Sequence, residues 1–203
     1  MKTIKWKMFF ITGFVCLLPI VAGILLWDKL PDTIAIHFDI NGNPDGFASK
    51  AFAVFFFPFM MFVLQGICCV ITDFKAKQYG EKKKFERVVK WIIPVLSILL
   101  QGITFIYALG YNVDIRKTVA VIVGVMYILI GNYLPKVDYV KNFKIDSEKA
   151  RKINRFVGII LVIFGLLFIG TIFLPPIATL ICLLLLIPFT AISIIYAIKV
   201  TKK

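Results

Sequence analysis

Five long stretches without a charged residue limit what this chain can fold into. They cover residues 8–27, 51–72, 91–113, 118–135 and 156–198. At about 1.5 Å per helical residue, each is long enough to cross a hydrocarbon layer of about 30 Å. A soluble domain of 203 residues could not bury so much continuous apolar sequence, so we predict an integral membrane protein.

The fifth stretch holds 43 residues, about twice the number that one membrane crossing needs. Pro175 and Pro176 lie near its middle, and adjacent prolines end a helix because they lack N–H donors. We therefore divide this stretch into two spans, at 156–174 and 177–198. The predicted fold is an all-α membrane protein, a bundle of six transmembrane helices with a small folded extracellular loop.

Basic residues are distributed unevenly between the connecting segments, and this predicts the orientation. The two termini and the segments 73–90 and 135–155 together carry 20 Lys or Arg, whereas the other connections carry 4. By the positive-inside rule we expect a multi-pass protein of the cell membrane with both termini in the cytoplasm. The net charge of +13 thus follows from topology. Direct binding of nucleic acid is not expected, because most aromatic residues lie within the spans.

The predicted organisation has three parts. Residues 1–72 hold helices 1 and 2 with the extracellular loop 28–50, and residues 73–90 form a basic cytoplasmic loop. Residues 91–203 hold helices 3–6 with the cytoplasmic loop 135–155. The first apolar run is longer than the core of a signal peptide and lacks a small-residue cleavage site, so we expect a retained helix.

Few side chains within the spans can carry out polar chemistry. The predicted spans contain no Asp, Glu, Lys, Arg or His, which ion-coupled transporters usually place at membrane depth. Gln65 and Gln101 lie near the middles of the second and third spans, and Asn132 lies near the inner end of the fourth. We expect the two glutamines to hydrogen-bond each other and join their helices. The alternative is a substrate path that all three residues line.

Small residues predict how two of the helices pack. Gly124 and Gly131 are seven residues apart in the fourth span, as are Gly158 and Gly165 in the fifth. Seven residues make about two helical turns, so each pair lies along one face, where glycine lets two backbones approach. We therefore expect these faces to pack together. All four cysteines also fall within spans and are expected to pack as free thiols.

The loop 28–50 is longer than a connection between two helices needs to be. Apolar and polar residues alternate over 33–39, which is typical of a short strand. The apolar face of this strand would hold Ile34, Ile36 and Phe38. Residues 40–46 are rich in turn-forming Asn, Gly, Pro and Asp, and Ser49 could cap the second helix. We expect a small folded cap on the outer face.

The loop also contains the single histidine of the chain, His37, with Asp39 two residues later on the same predicted strand face. Asp32 or Asp45 could complete a metal site, but a metal-selective site normally needs three or four ligands at recognisable spacing. The simpler interpretation is that these side chains hold the turn together, so we assign no metal and no cofactor. The candidate ligand-binding residues of the loop are His37, Asp39, Asn41, Asp45 and Gly46.

Two segments resemble a known family of bacterial membrane proteins. In the loop, the resemblance is carried by Leu30-Pro31-Asp32, His37-Phe38, Gly42, Pro44-Asp45-Gly46-Phe47 and Ser49-Lys50. The second segment comprises Gly131-Asn132-Tyr133-Leu134-Pro135-Lys136 and Arg151-Lys152-Ile153-Asn154-Arg155-Phe156-Val157-Gly158. Together they resemble the SdpI family, and the loop resembles its DUF1648 module. Residues 138–148 differ, because they lack the Gly-Ile-Arg-Thr-Pro-Trp-like element that family members carry here.

The resemblance implies a function in immunity and sensing. Family members are similar to a receptor that protects the producing cell from a secreted antimicrobial peptide toxin and that signals by holding a transcriptional repressor at the membrane. The expected partners are therefore an extracellular peptide toxin and a cytosolic repressor, besides membrane lipids. No enzymatic activity is expected, because the spans hold no histidine and the chain has no zinc-binding His-Glu-x-x-His helix and no phosphate-binding glycine-rich loop. The alternative from another class is a transporter of small solutes or peptides.

Overall fold

The computed structural model describes residues 4–79, 83–136 and 147–202. Within these ranges six long helices follow one another, with a β-hairpin between the first two. The helices are α1 Trp6–Leu25, α2 Phe57–Tyr79, α3 Lys83–Ala108, α4 Ile115–Tyr133, α5 Ser147–Gly170 and α6 Ile177–Lys202. The strands are β1 Thr33–Phe38 and β2 Pro44–Ser49, and a π-helical turn over Phe52–Phe56 leads into α2.

All six helices are long and apolar enough to cross a membrane. The predicted fold class and the prediction of six spans are therefore confirmed. A 3-10 turn over Thr171–Phe173 extends α5, and α6 begins at Ile177, so the last uncharged stretch is broken at Pro175-Pro176 as predicted. Proline is accommodated at this break because neither ring has to replace an N–H donor inside a helix.

The helices do not end where the uncharged stretches end. α2 continues through Asp73 to Tyr79, and α3 already begins at Lys83. Most of the segment predicted as the loop 73–90 is therefore helical, as are residues 147–155 at the start of α5. Lys, Arg and Glu are good helix formers, so a charged segment marks the edge of the hydrocarbon layer without ending the helix.

The chain divides into two compact units. The first contains α1, the hairpin, α2 as far as Phe74, and α3 from Glu86 onward to Ile115. The second contains residues 75–85 together with α4, α5 and α6 from Arg116 onward. α3 thus groups with α1 and α2.

Within the second unit, α4 and α5 meet at their glycines. A Cβ atom at Gly124 would lie 2.6 Å from the carbonyl oxygen of Gly165, and one at Gly131 would lie 2.5 Å from that of Gly158. Both pairs lie along one antiparallel seam, where any larger side chain would push the two backbones apart. The prediction that these faces pack together is confirmed.

The hairpin differs from the sequence prediction in two respects. First, Pro44–Ser49 forms a second strand that pairs antiparallel with β1, where only a turn and an approach to the helix were expected. Second, the register shifts between Ala35 and His37, so Ile36 forms a bulge. A bulge interrupts the alternation of a strand. Ile34 and Ala35 are consequently both buried, while Ile36 is exposed.

Candidate ligand-binding site at the hairpin

A small apolar core fixes the hairpin to the helices of the first unit. Ile34 of β1 is fully buried and belongs to one cluster with Val54 of the π-helical turn and Phe105 of α3. Phe38 adds an edge-to-face contact with Tyr107 of α3, with 5.1 Å between the ring centroids. Burial of one such aliphatic side chain contributes about 1.5–3 kcal/mol, so the hairpin is held in one position on the helices.

Lys50 ties the base of the hairpin to the end of α1. Its backbone N–H donates to the carbonyl of Asp32 at 2.8 Å, and its ammonium donates to the carbonyl of Trp27 at 3.1 Å. The ammonium also lies 5.4 Å from the centre of the Trp27 ring and 3.3 Å from the Asp32 carboxylate. The hydroxyl of Ser49 accepts a hydrogen bond from the N–H of Phe52 at 3.3 Å, as expected of a helix cap.

Asp39 organises the turn at the tip of the hairpin. Its carboxylate accepts hydrogen bonds from the backbone N–H groups of Asn41 and Asn43 at 2.9 and 2.7 Å. These bonds, that of Asn43 foremost, lower the pKa of the Asp39 carboxyl below its ordinary value. Gly42 adopts a φ of +87°, a backbone conformation that residues other than glycine rarely take. Asp39 lies beyond the end of β1, so the prediction that it shares a strand face with His37 is wrong.

The partner of His37 is Asp45. The Nδ1 atom of His37 lies 2.5 Å from the Asp45 carboxylate across the hairpin, and both side chains are exposed to solvent. A Cβ atom at Gly46 would lie 2.8 Å from the Cβ of His37, so the close approach of the strands requires glycine there. The interpretation that a histidine–aspartate pair holds the turn together is supported. Among the residues that the structure describes, no group of three or more His, Cys, Asp or Glu side chains is placed to hold a metal ion.

Three large apolar side chains on the hairpin are exposed. Ile36, Ile40 and Phe47 are 49%, 41% and 60% accessible, and none of them belongs to a helix. The loop 28–50 also contains four Asp and two Lys, which give it a formal charge of −2 with His37 neutral. On an element outside the spans, these side chains are available for contact with a partner. The hairpin therefore presents apolar groups on an element with net negative charge.

A cleft of about 160 Å³ lies between the bulge of β1, the start of α2 and the hairpin end of α3. Its lining includes Ile36, Phe52, Phe56, Met60, Gln101 and Thr104. The lining is largely aromatic and aliphatic, with the amide of Gln101 and the hydroxyl of Thr104 as its polar groups. An apolar cleft with a few placed polar groups is the usual form of a small binding site.

Gln65 and Gln101 do not hydrogen-bond each other, so that prediction is wrong. The amide nitrogen of Gln101 donates to the carbonyl of Ala53 at 3.0 Å, and that of Gln65 donates to the carbonyl of Lys90 at 2.9 Å. α2 and α3 run antiparallel, and in this register the two contacts lie about 12 residues apart, or roughly 18 Å along the helices. Because α3 ends at Ala108, Gln101 lies near its hairpin end and not at mid-helix.

The end of the first unit that lies opposite the hairpin holds buried charges that the sequence analysis missed. The Lys90 ammonium donates to the Asp73 carboxylate at 2.6 Å, and both side chains are almost completely buried. The backbone N–H of Lys5 donates to the same carboxylate at 3.0 Å, and the Lys5 ammonium donates to Glu86 at 2.7 Å. These four residues are called the charge cluster below. The sequence did contain a signal for this pair. Asp73 directly follows one uncharged stretch and Lys90 directly precedes the next, and two consecutive antiparallel helices bring these two positions close together.

Gln65 connects the charge cluster to the interior of the first unit. Besides the Lys90 carbonyl, its amide nitrogen lies 2.8 Å from the hydroxyl of Thr12 and 3.2 Å from the sulfur of Cys69. Ser97 of α3 donates to the carbonyl of Cys16 in α1 at 2.9 Å. Buried polar contacts of this kind join α1, α2 and α3 into one packed body.

Asn132 lies exposed near the end of α4, in the second unit. Next to it, Gly131 meets Gly158, and a Cβ atom at Gly158 would also lie 3.0 Å from the ring of Pro135. The two halves of the second resembling segment are thus in contact with each other. Most of the segment 138–148, which differs from the family pattern, lies outside the described residues.

Comparison with known proteins shows a family domain in the first third of the chain. A family model described as a domain of unknown function, DUF1648, matches residues 14–62. The match covers most of α1, the whole hairpin and the first residues of α2. No curated protein matches the chain, and no solved structure matches it. The resemblance of the loop to this module is confirmed, and the chain is a six-helix membrane protein that carries a DUF1648 domain.

Proposed function

We propose that the protein is an immunity and sensor protein of the cell membrane, with its hairpin facing outward to engage a secreted antimicrobial peptide toxin. The two termini then lie in the cytoplasm, where a transcriptional repressor could detect the occupied receptor. This is a binding function that needs neither a catalytic group nor a cofactor. The resemblance to the SdpI family supplies the class of ligand, and the surface of the hairpin supplies the physical support.

The observation that carries the proposal is the exposed apolar surface of the hairpin on an element with net negative charge. Peptides that attack membranes commonly combine an apolar face with Lys and Arg residues. Ile36, Ile40 and Phe47 can contact the apolar face of such a peptide. The carboxylates of the loop favour the approach of its basic residues, because opposite charges steer partners together.

The way in which the hairpin is anchored also favours a binding function. Ile34 is buried against the helices, and Lys50 holds the base of the hairpin to the end of α1. A surface that is ordered before the ligand arrives loses less conformational entropy on binding. His37, Asp39, Asn41, Asp45 and Gly46 remain the candidate residues for polar contact, although the structure gives each of them a role within the hairpin as well.

A route for signalling is available within the first unit. α3 carries Gln101 in the cleft near the hairpin and Lys90 in the charge cluster at the other end. A small displacement of this helix by a bound peptide would disturb the Lys90–Asp73 ion pair on the opposite side of the membrane. Coupling of this kind requires that α3 can take two positions. Binding at the cleft and binding at the charge cluster must each favour one of the two. The repressor as a partner rests on the family resemblance.

The alternative of a transporter has less support. Gln101 faces the cleft, whereas Gln65 is buried among Thr12, Cys69 and the Lys90 backbone. The two glutamines therefore do not line a common path. A transporter remains the outcome to test against, since uptake of a labelled solute or peptide by vesicles containing the purified protein would reveal it.

The proposed function is tested by producing the full chain in a toxin-sensitive bacterial host. The minimal inhibitory concentration of each member of a panel of secreted peptide toxins is then compared with that of the same host carrying an empty vector. We expect the inhibitory concentration of at least one peptide to rise. Unchanged sensitivity to every peptide, with the chain present in the membrane, would contradict the immunity function.

A further inference from the structure

The size of the cleft beneath the bulge limits what it can hold. Its volume is about 160 Å³. A protein cavity of about 150 Å³ lined by aliphatic and aromatic side chains is known to accept benzene. The cleft is thus large enough for a single aromatic ring and too small for a folded peptide segment.

The amide of Gln101 gives the cleft a directional polar group. Its nitrogen donates to the carbonyl of Ala53 at 3.0 Å, which orients the side chain and leaves the amide oxygen without a hydrogen-bond donor in the described part of the chain. The side chain as a whole is only 2% accessible, although it contributes to the lining of the cleft. An occupant that supplies an N–H or O–H group would form a hydrogen bond with this oxygen and would therefore be favoured.

The other polar group of the cleft is already engaged as a donor. The hydroxyl of Thr104 donates to the carbonyl of Leu100 at 2.9 Å. The Thr104 hydroxyl hydrogen is thus already used, and the Gln101 amide oxygen is the acceptor that the cleft offers. Its occupant should be an aromatic ring that carries a donor. The indole of tryptophan and the phenol of tyrosine suit the apolar walls better than the more polar imidazole of histidine.

We infer that this cleft is the subsite that receives one tryptophan or tyrosine side chain of the secreted peptide, with Gln101 accepting the ring N–H or O–H. The inference rests on the proposed function, because the occupant is taken from the extracellular ligand. The apolar walls bind the ring, and the Gln101 oxygen selects donor-bearing rings over phenylalanine. Ile36 forms part of both the cleft and the exposed hairpin surface, so the rest of the peptide can continue across the hairpin.

The test uses the purified full chain in phosphatidylcholine nanodiscs and 5-fluoroindole, observed by fluorine NMR, as the probe. Saturable binding is expected above the partitioning into empty nanodiscs. 5-Fluoro-1-methylindole lacks the N–H donor, and we expect it to bind roughly two- to tenfold more weakly, as a lost hydrogen bond predicts. Equal affinity for the two rings, or partitioning alone, would overturn the subsite.

A matched pair of variants locates the binding. Thr104→Phe fills the cleft and should abolish saturable binding. Ser193→Phe makes the same kind of change in the cleft between α5 and α6, where Ser193 likewise donates to the carbonyl four residues earlier, at 2.8 Å. This second cleft has no glutamine, so Ser193→Phe should leave the affinity unchanged. Loss of binding in Ser193→Phe with retention in Thr104→Phe would overturn the assignment to the cleft.

The two proposals fail in different experiments. If the chain protects no host from any peptide but still binds 5-fluoroindole through Gln101, the immunity function is wrong and the aromatic subsite stands. If the chain protects the host but the probe binds without preference for the N–H, the subsite is wrong and the immunity function stands. Occupation of the cleft by a lipid acyl chain that the probe cannot displace would also overturn the subsite.

Discussion

Lys90 and Asp73 form an ion pair of 2.6 Å, almost completely shielded from solvent, at the end of the first unit that lies opposite the hairpin. Asp73 also accepts the N–H of Lys5, so the pair joins the start of α1 to α2 and α3. Removal of one partner from a buried pair leaves an uncompensated charge and commonly costs about 3–5 kcal/mol. This pair therefore gives the clearest prediction about stability.

We expect Lys90→Met to lower the free energy of unfolding by about 3 kcal/mol or more, because Asp73 would lose its main cation. Lys90→Met combined with Asp73→Asn should cost much less than the two single changes together. The measurement is an SDS unfolding titration of the purified protein in detergent micelles. The control is the exposed pair Lys152–Glu148, whose removal should leave the unfolding titration nearly unchanged because solvent screens the two charges. Additive costs at Asp73 and Lys90 would show that the pair is not coupled.

The glycine seam of the second unit predicts a second difference in stability. Gly124→Ala places a methyl group 2.6 Å from the Gly165 carbonyl and should cost about 1–3 kcal/mol, because backbone has to move. Gly102→Ala is the control, since a Cβ atom there meets nothing within 4 Å. It should be neutral or stabilising by up to about 1 kcal/mol, because alanine favours a helix over glycine. The same unfolding titration distinguishes them, and equal effects would argue against close packing at Gly124.

The turn at the hairpin tip should depend on pH through Asp39. The hydrogen bonds of the Asn43 and Asn41 amides favour the ionised carboxyl and lower its pKa from 3.8. The stabilisation is therefore fully present above about pH 4 and is lost as the pH falls through the lowered pKa of the folded form. We expect the Asn43 amide to exchange faster with solvent at pH 2.5 than the intrinsic rate change explains, as measured by NMR.

Asp39→Asn provides the control for this titration, because its side chain carries no ionisable group. The excess change in Asn43 exchange between pH 2.5 and 5 should disappear in this variant. Persistence of the excess would assign the pH dependence to another group.

Features of the fold that depend on local sequence were predictable, and features that depend on a distant partner segment were not. The six helices were predictable because long uncharged runs need no partner to be recognised. The glycine seam was predictable because a spacing of seven places Gly124 and Gly131 on one face, whichever helix they meet. β2 was not recognised, because Pro44, Asp45 and Gly46 are turn-forming residues and this segment becomes a strand only by pairing with β1.

The candidate site was less predictable, because it depends on the register between helices. Gln65 and Gln101 each lie near the middle of an uncharged stretch, which suggested that they would meet. At the charge cluster α2 and α3 both extend beyond their uncharged stretches, whereas at the hairpin α3 ends before its stretch does. Gln65 therefore lies opposite Lys90, and Gln101 lies opposite Ala53. The cleft requires residues from β1, α2 and α3 together, and no local pattern records that combination.

Orientation in the membrane is predicted from the charge distribution and can be tested by chemical labelling. A cysteine at Ile40, on the exposed hairpin tip, should react with an impermeant thiol reagent added outside intact cells. Cysteines at the exposed positions Lys84 and Arg151 should react only after the cells are opened. The unmodified chain measures the background from its four native thiols. If Lys84→Cys and Arg151→Cys react in intact cells and the cysteine at Ile40 does not, the orientation is the reverse of the predicted one.

The central claim is that the hairpin surface contacts the toxin, and the most direct test is the inhibitory concentration conferred by a hairpin variant. Ile40→Ser combined with Phe47→Ser removes exposed apolar groups without touching the buried anchor at Ile34. The control is Phe173→Ser, an exposed aromatic of the second unit.

About half of each side chain is exposed, so the two lost contacts together are worth about 1.5 kcal/mol or more. The hairpin variant should therefore lower the inhibitory concentration about tenfold or more relative to the wild type. Its abundance in the membrane should equal that of the wild type, and Phe173→Ser should protect normally. Full protection by the hairpin variant at equal abundance would contradict the claim that the hairpin contacts the toxin.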